Sequence, residues 1–74
     1  MKLTKYLISI GDSNRGYDTA QVTKNDAGKY RLIPGTISGR KYVITKSIAA
    51  LNRGENSYVS KAGDYFQIHA EGKS

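Results

Sequence analysis

Apolar and polar residues alternate with a period of two along much of the chain, which predicts a protein built of short β-strands. The first strand, residues 2–10, carries apolar side chains on both faces, with Tyr6, Ile8 and Ile10 on one and Leu3 and Leu7 on the other. Such a strand lies at the centre of a sheet or is covered on both sides. We expect residues 2–10 to occupy one of these two positions.

Turn-forming residues separate the other predicted strands. Residues 25–28 form the clearest hairpin turn, in which Gly28 suits a left-handed backbone conformation. Pro34 and Gly35 end the strand that follows, because proline lacks an amide donor and glycine permits a sharp bend. Residues 40–46 have the highest content of β-branched and aromatic residues, and they are therefore the strongest predicted strand. The strands predicted after the first are residues 17–24, 29–33, 40–46, 57–60 and 64–70.

One short helix is predicted near residues 47–54. Its signals are an N-cap, two apolar residues on one face, a basic residue at the C-terminus and a glycine after it: Ser47, Ile48, Leu51, Arg53 and Gly54. A helix of this length is unstable alone and must pack on the sheet. The predicted fold is α+β and β-rich, a small twisted antiparallel sheet of about five short strands with one helix. The pattern leaves open whether the sheet closes partly into a barrel.

Length and composition limit the chain to one small domain, residues 1–74. We expect the polar residues 71–74 to form a frayed tail. A chain this short buries roughly 60% of the surface that its unfolded form exposes, so its core is marginal. Because the chain has no cysteine, disulfides and thiolate metal sites are excluded, and a homodimer or another partner is one way to complete the core.

Positive charge is concentrated in residues 29–54, a stretch with six basic residues and no acidic one. The rest of the chain has six basic and six acidic residues, so this stretch accounts for the whole formal net charge of +6. A pI near 9.7 favours acidic partners, with nucleic acid first, an acidic protein second and an anionic membrane third. Solubility alone is the alternative explanation for such a charge.

Two segments of this stretch, 29–33 and 40–46, suggest a cationic sheet face. If they pair, basic side chains and a tyrosine share one surface. This combination suits single-stranded or structured nucleic acid, because cations contact phosphates while aromatic rings stack on bases. The predicted binding residues are Lys29, Arg31, Arg40, Lys41, Tyr42, Lys46 and Arg53.

A protein–protein interaction module is the alternative hypothesis. Exposed edges of a thin sheet can pair with a target or with a second copy, and a basic surface can dock on an acidic protein. Inhibitors of phages and mobile elements are an analogous class of small basic protein. Nucleic-acid binding should weaken steeply with salt, whereas strand pairing should depend on salt much less.

The sequence Ile10-Gly11-Asp12-Ser13 resembles the nucleophile block of the GDS(L)-type hydrolases. That family uses an Asp-x-x-His pair as the base and its orienting acid. Here the single histidine is His69, and the nearest acidic residue before it, Asp64, is five positions away. A serine without an activating base is a poor nucleophile. We therefore expect a non-enzymatic protein with no cofactor and no metal site.

No stretch of the chain approaches the ~20 consecutive apolar residues needed to span a bilayer. The N-terminus begins with a lysine, as signal peptides do, but Thr4, Lys5 and Ser9 interrupt the apolar region that such a signal requires. We expect a cytoplasmic protein that does not associate with membranes.

Overall fold

The computed structural model describes residues 3–73, which form five strands and one helix. In chain order these are β1 (Thr4–Asp12), β2 (Gly16–Lys24), β3 (Tyr30–Leu32), α1 (Lys41–Asn52), β4 (Ser57–Val59) and β5 (Tyr65–Lys73). All strands pair antiparallel in one sheet of order β3-β2-β1-β5-β4. The sheet curls into a half-barrel with α1 against it, so the predicted α+β, β-rich class is confirmed.

The core lies between α1 and one face of the sheet, which we call the inner face. Its buried apolar side chains come from three strands and the helix: Ile8, Ile10, Ala20, Val22, Phe66, Ile68, Val43, Ile44 and Ala50. The helix begins after β3 at one edge of the sheet and is followed by β4 at the other edge. It therefore crosses the inner face and leaves the opposite face, the outer face, uncovered by the described residues.

Of the two positions predicted for the first strand, the centre of the sheet is the one observed. β1 is the central strand of the sheet, between β2 and β5. However, Leu3 and Leu7 are 60% and 46% exposed, so β1 is covered on its inner face alone. Residue 2 of the predicted strand lies outside the described residues. At the other end of the sheet, β5 continues to Lys73, past the start of the predicted frayed tail, and Ser74 is not described.

The strand predicted at residues 40–46 is wrong, because these residues form the start of α1. Val43, Ile44, Ser47 and Ala50 are buried, and this spacing places them on one side of a helix with 3.6 residues per turn. In a strand the neighbours Val43 and Ile44 would point to opposite faces. Burial of both against the sheet outweighs the preference of β-branched residues for strands.

The predicted C-terminal end of the helix is confirmed, and its predicted N-terminal end is wrong. Gly54 follows the C-cap Arg53 with φ +84°, and its amide donates to the Leu51 carbonyl at 2.9 Å, as predicted for a glycine in that position. The N-cap is Arg40, so the assignment of Ser47 to that role is wrong. Ser47 instead lies in the middle of α1 and is fully buried against the sheet.

A side chain of α1 closes the sheet edge at β3. The Tyr30 amide donates to Asn52 Oδ1 at 2.7 Å, and Asn52 Nδ2 donates to the Tyr30 carbonyl at 3.1 Å. The carboxamide thus satisfies both backbone groups of Tyr30 that face away from β2. At the opposite edge, no side chain within residues 3–73 forms a hydrogen bond to the backbone of β4.

Replacing Ser47 with alanine should stabilise the fold. The Ser47 hydroxyl is buried and has no hydrogen-bond partner among the described residues. Removing an unsatisfied buried hydroxyl and gaining helix propensity should raise the free energy of unfolding by about 1 kcal/mol. Urea denaturation followed by circular dichroism measures this. The control is Thr45→Ala on the same helix, because the exposed Thr45 hydroxyl has a partner: it donates to the Lys41 carbonyl at 2.9 Å. A loss of stability in Ser47→Ala would contradict the conclusion that the Ser47 hydroxyl is buried without a hydrogen bond.

Candidate functional site

Arg40 has a structural position, although the sequence predicted it as a binding residue. Its guanidinium forms an ion pair with Asp18, with Nη2–Oδ2 at 2.9 Å and Nε–Oδ2 at 3.2 Å, and its amide donates to Asp18 Oδ1 at 3.1 Å. Its guanidinium carbon also lies 5.2 Å from the centre of the Phe66 ring. Hydrogen bonding to Asp18 raises the pKa of Arg40, against the opposing effect of burial. These contacts join the start of α1 to β2.

Lys29 and Arg31 lie at the β3 edge of the sheet, beside the C-terminal end of α1. Lys29 Nζ donates to the Asn52 carbonyl at 3.3 Å, and Arg31 is exposed on the outer face. β3 pairs with β2, and residues 40–46 are helical. The predicted pairing of segment 29–33 with segment 40–46 is therefore wrong, and no continuous cationic sheet face joins them.

Three of the predicted residues meet on one side of α1. Tyr42, Lys46 and Arg53, together with Ala49, line a groove of about 720 Å³. The opposite wall is the β4–β5 hairpin, residues 58–62, so we call this space the helix–hairpin groove. Its volume falls in the range of about 300–1,000 Å³ that is typical of ligand sites. Lys41 is exposed on α1 but does not line the groove.

The hairpin wall of the groove contains an aromatic stack. Tyr58 stacks on Phe66 with ring centroids 5.0 Å apart and an interplanar angle of 17°. The Tyr58 hydroxyl is buried without a hydrogen-bond partner among the described residues, and burial raises its pKa. Tyr42 lines the groove from α1, and 57% of its surface is exposed. The groove thus has a fixed ring on the hairpin side and an accessible ring on the helix side.

Positive charges outnumber negative ones in the groove, and its two lysines are not in ion pairs among the described residues. Glu55 accepts hydrogen bonds from Arg53, which lower the pKa of Glu55, and Asp64 pairs with Arg15 from the β1–β2 turn. Both acidic side chains at the groove are therefore neutralised by arginines. Lys46 and Lys61 lie on opposite walls, and neither forms an ion pair with any residue that the structure describes.

Sequence analysis missed Tyr58 and Lys61. Both lie outside the basic stretch 29–54, which was the signal used to define the site. The connection between α1 and β4, residues 53–56, is short and could have indicated that β4 runs beside the helix. Because β4 lies beside the helix, Tyr58 and Lys61 line the same groove as Tyr42 and Lys46.

The residues of the hydrolase-like motif have other contacts. Asp12 Oδ1 accepts hydrogen bonds from the amides of Asn14 and Arg15, at 3.0 and 2.8 Å, and so shapes the turn between β1 and β2. Ser13 is exposed in this turn. His69 lies on the outer face, where its ring centroid is 6.5 Å from that of Tyr17. Within residues 3–73, no group of three or more side chains is arranged to bind a metal.

A second surface is formed by the outer face of the sheet. Large apolar or aromatic side chains are exposed there: Leu7, Tyr17 and Tyr65. Lys5 and Arg31 lie at one end of this face, on either side of Thr23. The outer face is therefore amphipathic, whereas the helix–hairpin groove is concave and cationic.

Comparison of the chain with known protein families, curated proteins and solved structures gives no match. Across residues 3–73, no helix has both the length and the apolar character needed to cross a bilayer. Function is therefore inferred from the geometry and charge of this chain itself.

Proposed function

We propose that this protein is a non-enzymatic binding protein that contacts nucleic acid through the helix–hairpin groove, in the cytoplasm. The observation that carries the proposal is the pair Lys46 and Lys61. Both lysines line the groove, one from α1 and one from the hairpin, and neither is in an ion pair among the described residues; the exposed Tyr42 lines the same groove. Cations flanking an aromatic ring suit a chain of phosphates that carries stacking bases.

The balance of charge around the groove supports an anionic ligand. The two acidic side chains that line it are already bonded to Arg53 and Arg15, so they do not compete for the lysines. The whole chain carries a formal net charge of +6, which favours approach of a polyanion. Phosphate contacts made by lysines release counterions, and binding should therefore weaken with salt.

Replacing both groove lysines should remove most of the affinity for nucleic acid. We expect the wild-type protein to bind a fluorescein-labelled thymidine dodecamer in fluorescence anisotropy, and Lys46→Ala/Lys61→Ala to bind it more weakly. The two lost contacts should also reduce the slope of log K against log salt by about 1.4, measured from about 50 to 200 mM salt. Circular dichroism checks that the variant stays folded.

The matched control is Lys5→Ala/Arg31→Ala, which removes the same charge from the outer face. Both residues are exposed and form no ion pair among the described residues. If the groove is the site, this control should retain most of the affinity and most of the salt slope. Equal losses in the two double variants would show a general charge effect and contradict the groove. An absence of binding even at the lowest salt would reject nucleic acid as the ligand.

A second candidate, a protein–protein interaction module, is favoured by the exposed apolar residues of the outer face. Its occupant would be an acidic protein surface, because Lys5 and Arg31 lie at one end of this face, with the exposed Leu7 two positions after Lys5 on the same strand. Labelled poly-L-glutamate is a suitable probe. Binding that Lys5→Ala/Arg31→Ala weakens and Lys46→Ala/Lys61→Ala does not would favour this candidate. Absence of binding to the probe, or equal sensitivity to both variants, would contradict it.

A further inference from the structure

The helix–hairpin groove has a definite length along α1. Its lining residues run from Tyr42 to Arg53, eleven positions, which at a rise of about 1.5 Å per residue gives roughly 16 Å. A stacked nucleic-acid strand advances about 3.4 Å per nucleotide. The groove therefore matches a segment of about four or five nucleotides.

Tyr42 is placed to receive a base at one end of this segment. Its ring is 57% exposed, and Lys46 follows one helical turn later on the same side of α1. Between Tyr42 and Arg53 the helix presents Ala49, whose small side chain leaves space in the groove. On the hairpin wall, Tyr58 is held by its stack on Phe66. A planar ligand can rest on Tyr42 while its phosphates reach lysines on both walls.

The same walls exclude a duplex from the groove. Bases in a duplex are stacked inside it, and a protein reaches their faces only where a strand is unpaired. An α-helix reads B-DNA by entering the major groove with a free face. Here the groove side of α1 is bordered by the hairpin residues 58–62, so it cannot enter a duplex.

We propose that the helix–hairpin groove holds about four nucleotides of a single strand, with one unpaired base stacked on Tyr42. This rests on the proposed function, whose test measures the phosphate contacts of Lys46 and Lys61 alone. The further element is selectivity: the ligand is recognised by a base face as well as by its charge. Single strands are then preferred to duplexes and to abasic chains of the same length.

The experiment compares three labelled probes in fluorescence anisotropy: a thymidine dodecamer, an abasic dodecamer with the same number of phosphates, and a duplex of equal length. Loss of one base–aromatic stack corresponds to about 5- to 150-fold in affinity. We expect the wild-type protein to bind the thymidine dodecamer at least about 5-fold more tightly than the abasic one. Tyr42→Ala should lower the affinity for the thymidine dodecamer and leave that for the abasic dodecamer nearly unchanged.

Tyr65→Ala is the matched control, because Tyr65 is 55% exposed on the outer face, outside the groove. It should keep the wild-type preference. Equal wild-type affinities for the thymidine and abasic dodecamers, or an unchanged preference in Tyr42→Ala, would overturn base stacking while leaving phosphate binding intact. Failure of every probe to bind would reject the proposed function itself. Shorter thymidine oligomers test the length, since affinity should stop rising steeply beyond about five nucleotides.

Discussion

Gly11→Ala is expected to abolish most of the stability of the protein. Gly11 has φ +148°, and a Cβ at this position would lie 2.1 Å from the carbonyl oxygen of Gly16 and 3.1 Å from Tyr17 Cα. All of these neighbours are backbone atoms, so no side-chain rotation can relieve the overlap. β1 and β2 would have to separate next to the Gly11–Tyr17 pair of their ladder.

The expected loss is about 4 kcal/mol or more, a size reached when a clash in the interior adds to backbone strain. A small domain at the lower end of the usual range has a free energy of unfolding of about 5 kcal/mol, so such a loss would leave about 1 kcal/mol and move unfolding to much lower urea. Urea denaturation followed by circular dichroism measures the loss.

Gly16→Ala is the matched control, because Gly16 also has a positive φ, +83°, but faces open space. It should cost about 1–2 kcal/mol. Equal losses in both variants would contradict the role of the clash.

Asp18→Ala is expected to destabilise the protein by about 3 kcal/mol. Asp18 is 7% exposed, and its carboxylate accepts three hydrogen bonds from Arg40, two from the guanidinium and one from the amide. Arg40 is the N-cap of α1 and has no side-chain cap of its own. A carboxylate at this helix end also interacts favourably with the helix dipole. Its removal frees the start of α1 and leaves the half-buried guanidinium without its partner.

A double-mutant cycle separates these contributions. Asp18→Ala/Arg40→Ala should be less destabilised than the sum of the two single variants, because each single variant leaves an unpaired charge and the double variant leaves none. Glu55→Ala is the control for an ion pair on the surface. It removes the exposed partner of Arg53 and should change stability little. A loss in Asp18→Ala no larger than that in Glu55→Ala would contradict the role given to the Asp18–Arg40 pair.

The strands could be predicted from sequence because their pattern and their burial agree. In β2, Ala20 and Val22 point inward as the alternation predicts, and Gly28 ends the turn before β3 with φ +81°. Hydrophobic alternation and turn chemistry are local properties, so the sequence alone expresses them. The five strands of the sheet follow from these signals.

The start of the helix could not be predicted from strand propensity. Tyr42, Val43, Ile44 and Thr45 all favour strands when isolated. Their conformation is decided by the inner face of the sheet, which buries Val43 and Ile44 together. The apolar spacing from Val43 to Leu51 does fit a helix, but residues 40–46 alone are too few to distinguish the two periods.

The candidate site could be predicted only in part, because it depends on contacts between residues that are distant in the sequence. Local charge density identified Tyr42, Lys46 and Arg53, which line the groove. It also included Arg40, because the sequence does not reveal that β2 brings Asp18 to its guanidinium. Lys61 was missed, because it joins the groove through the β4–β5 hairpin. Charge is a property of residues, whereas a site is a property of contacts between distant residues.

The hydrogen bonds between Asn52 and Tyr30 also limit how copies of this chain can assemble. A sheet that offers two free edges can add molecules at both and grow into a fibre. Here the carboxamide of Asn52 occupies the β3 edge at Tyr30, while the backbone of β4 has no side-chain partner within residues 3–73. A pairing made through β4 alone would join two molecules without extending further. Extension of the sheet at Tyr30 would first require Asn52 to release the two backbone groups that it occupies.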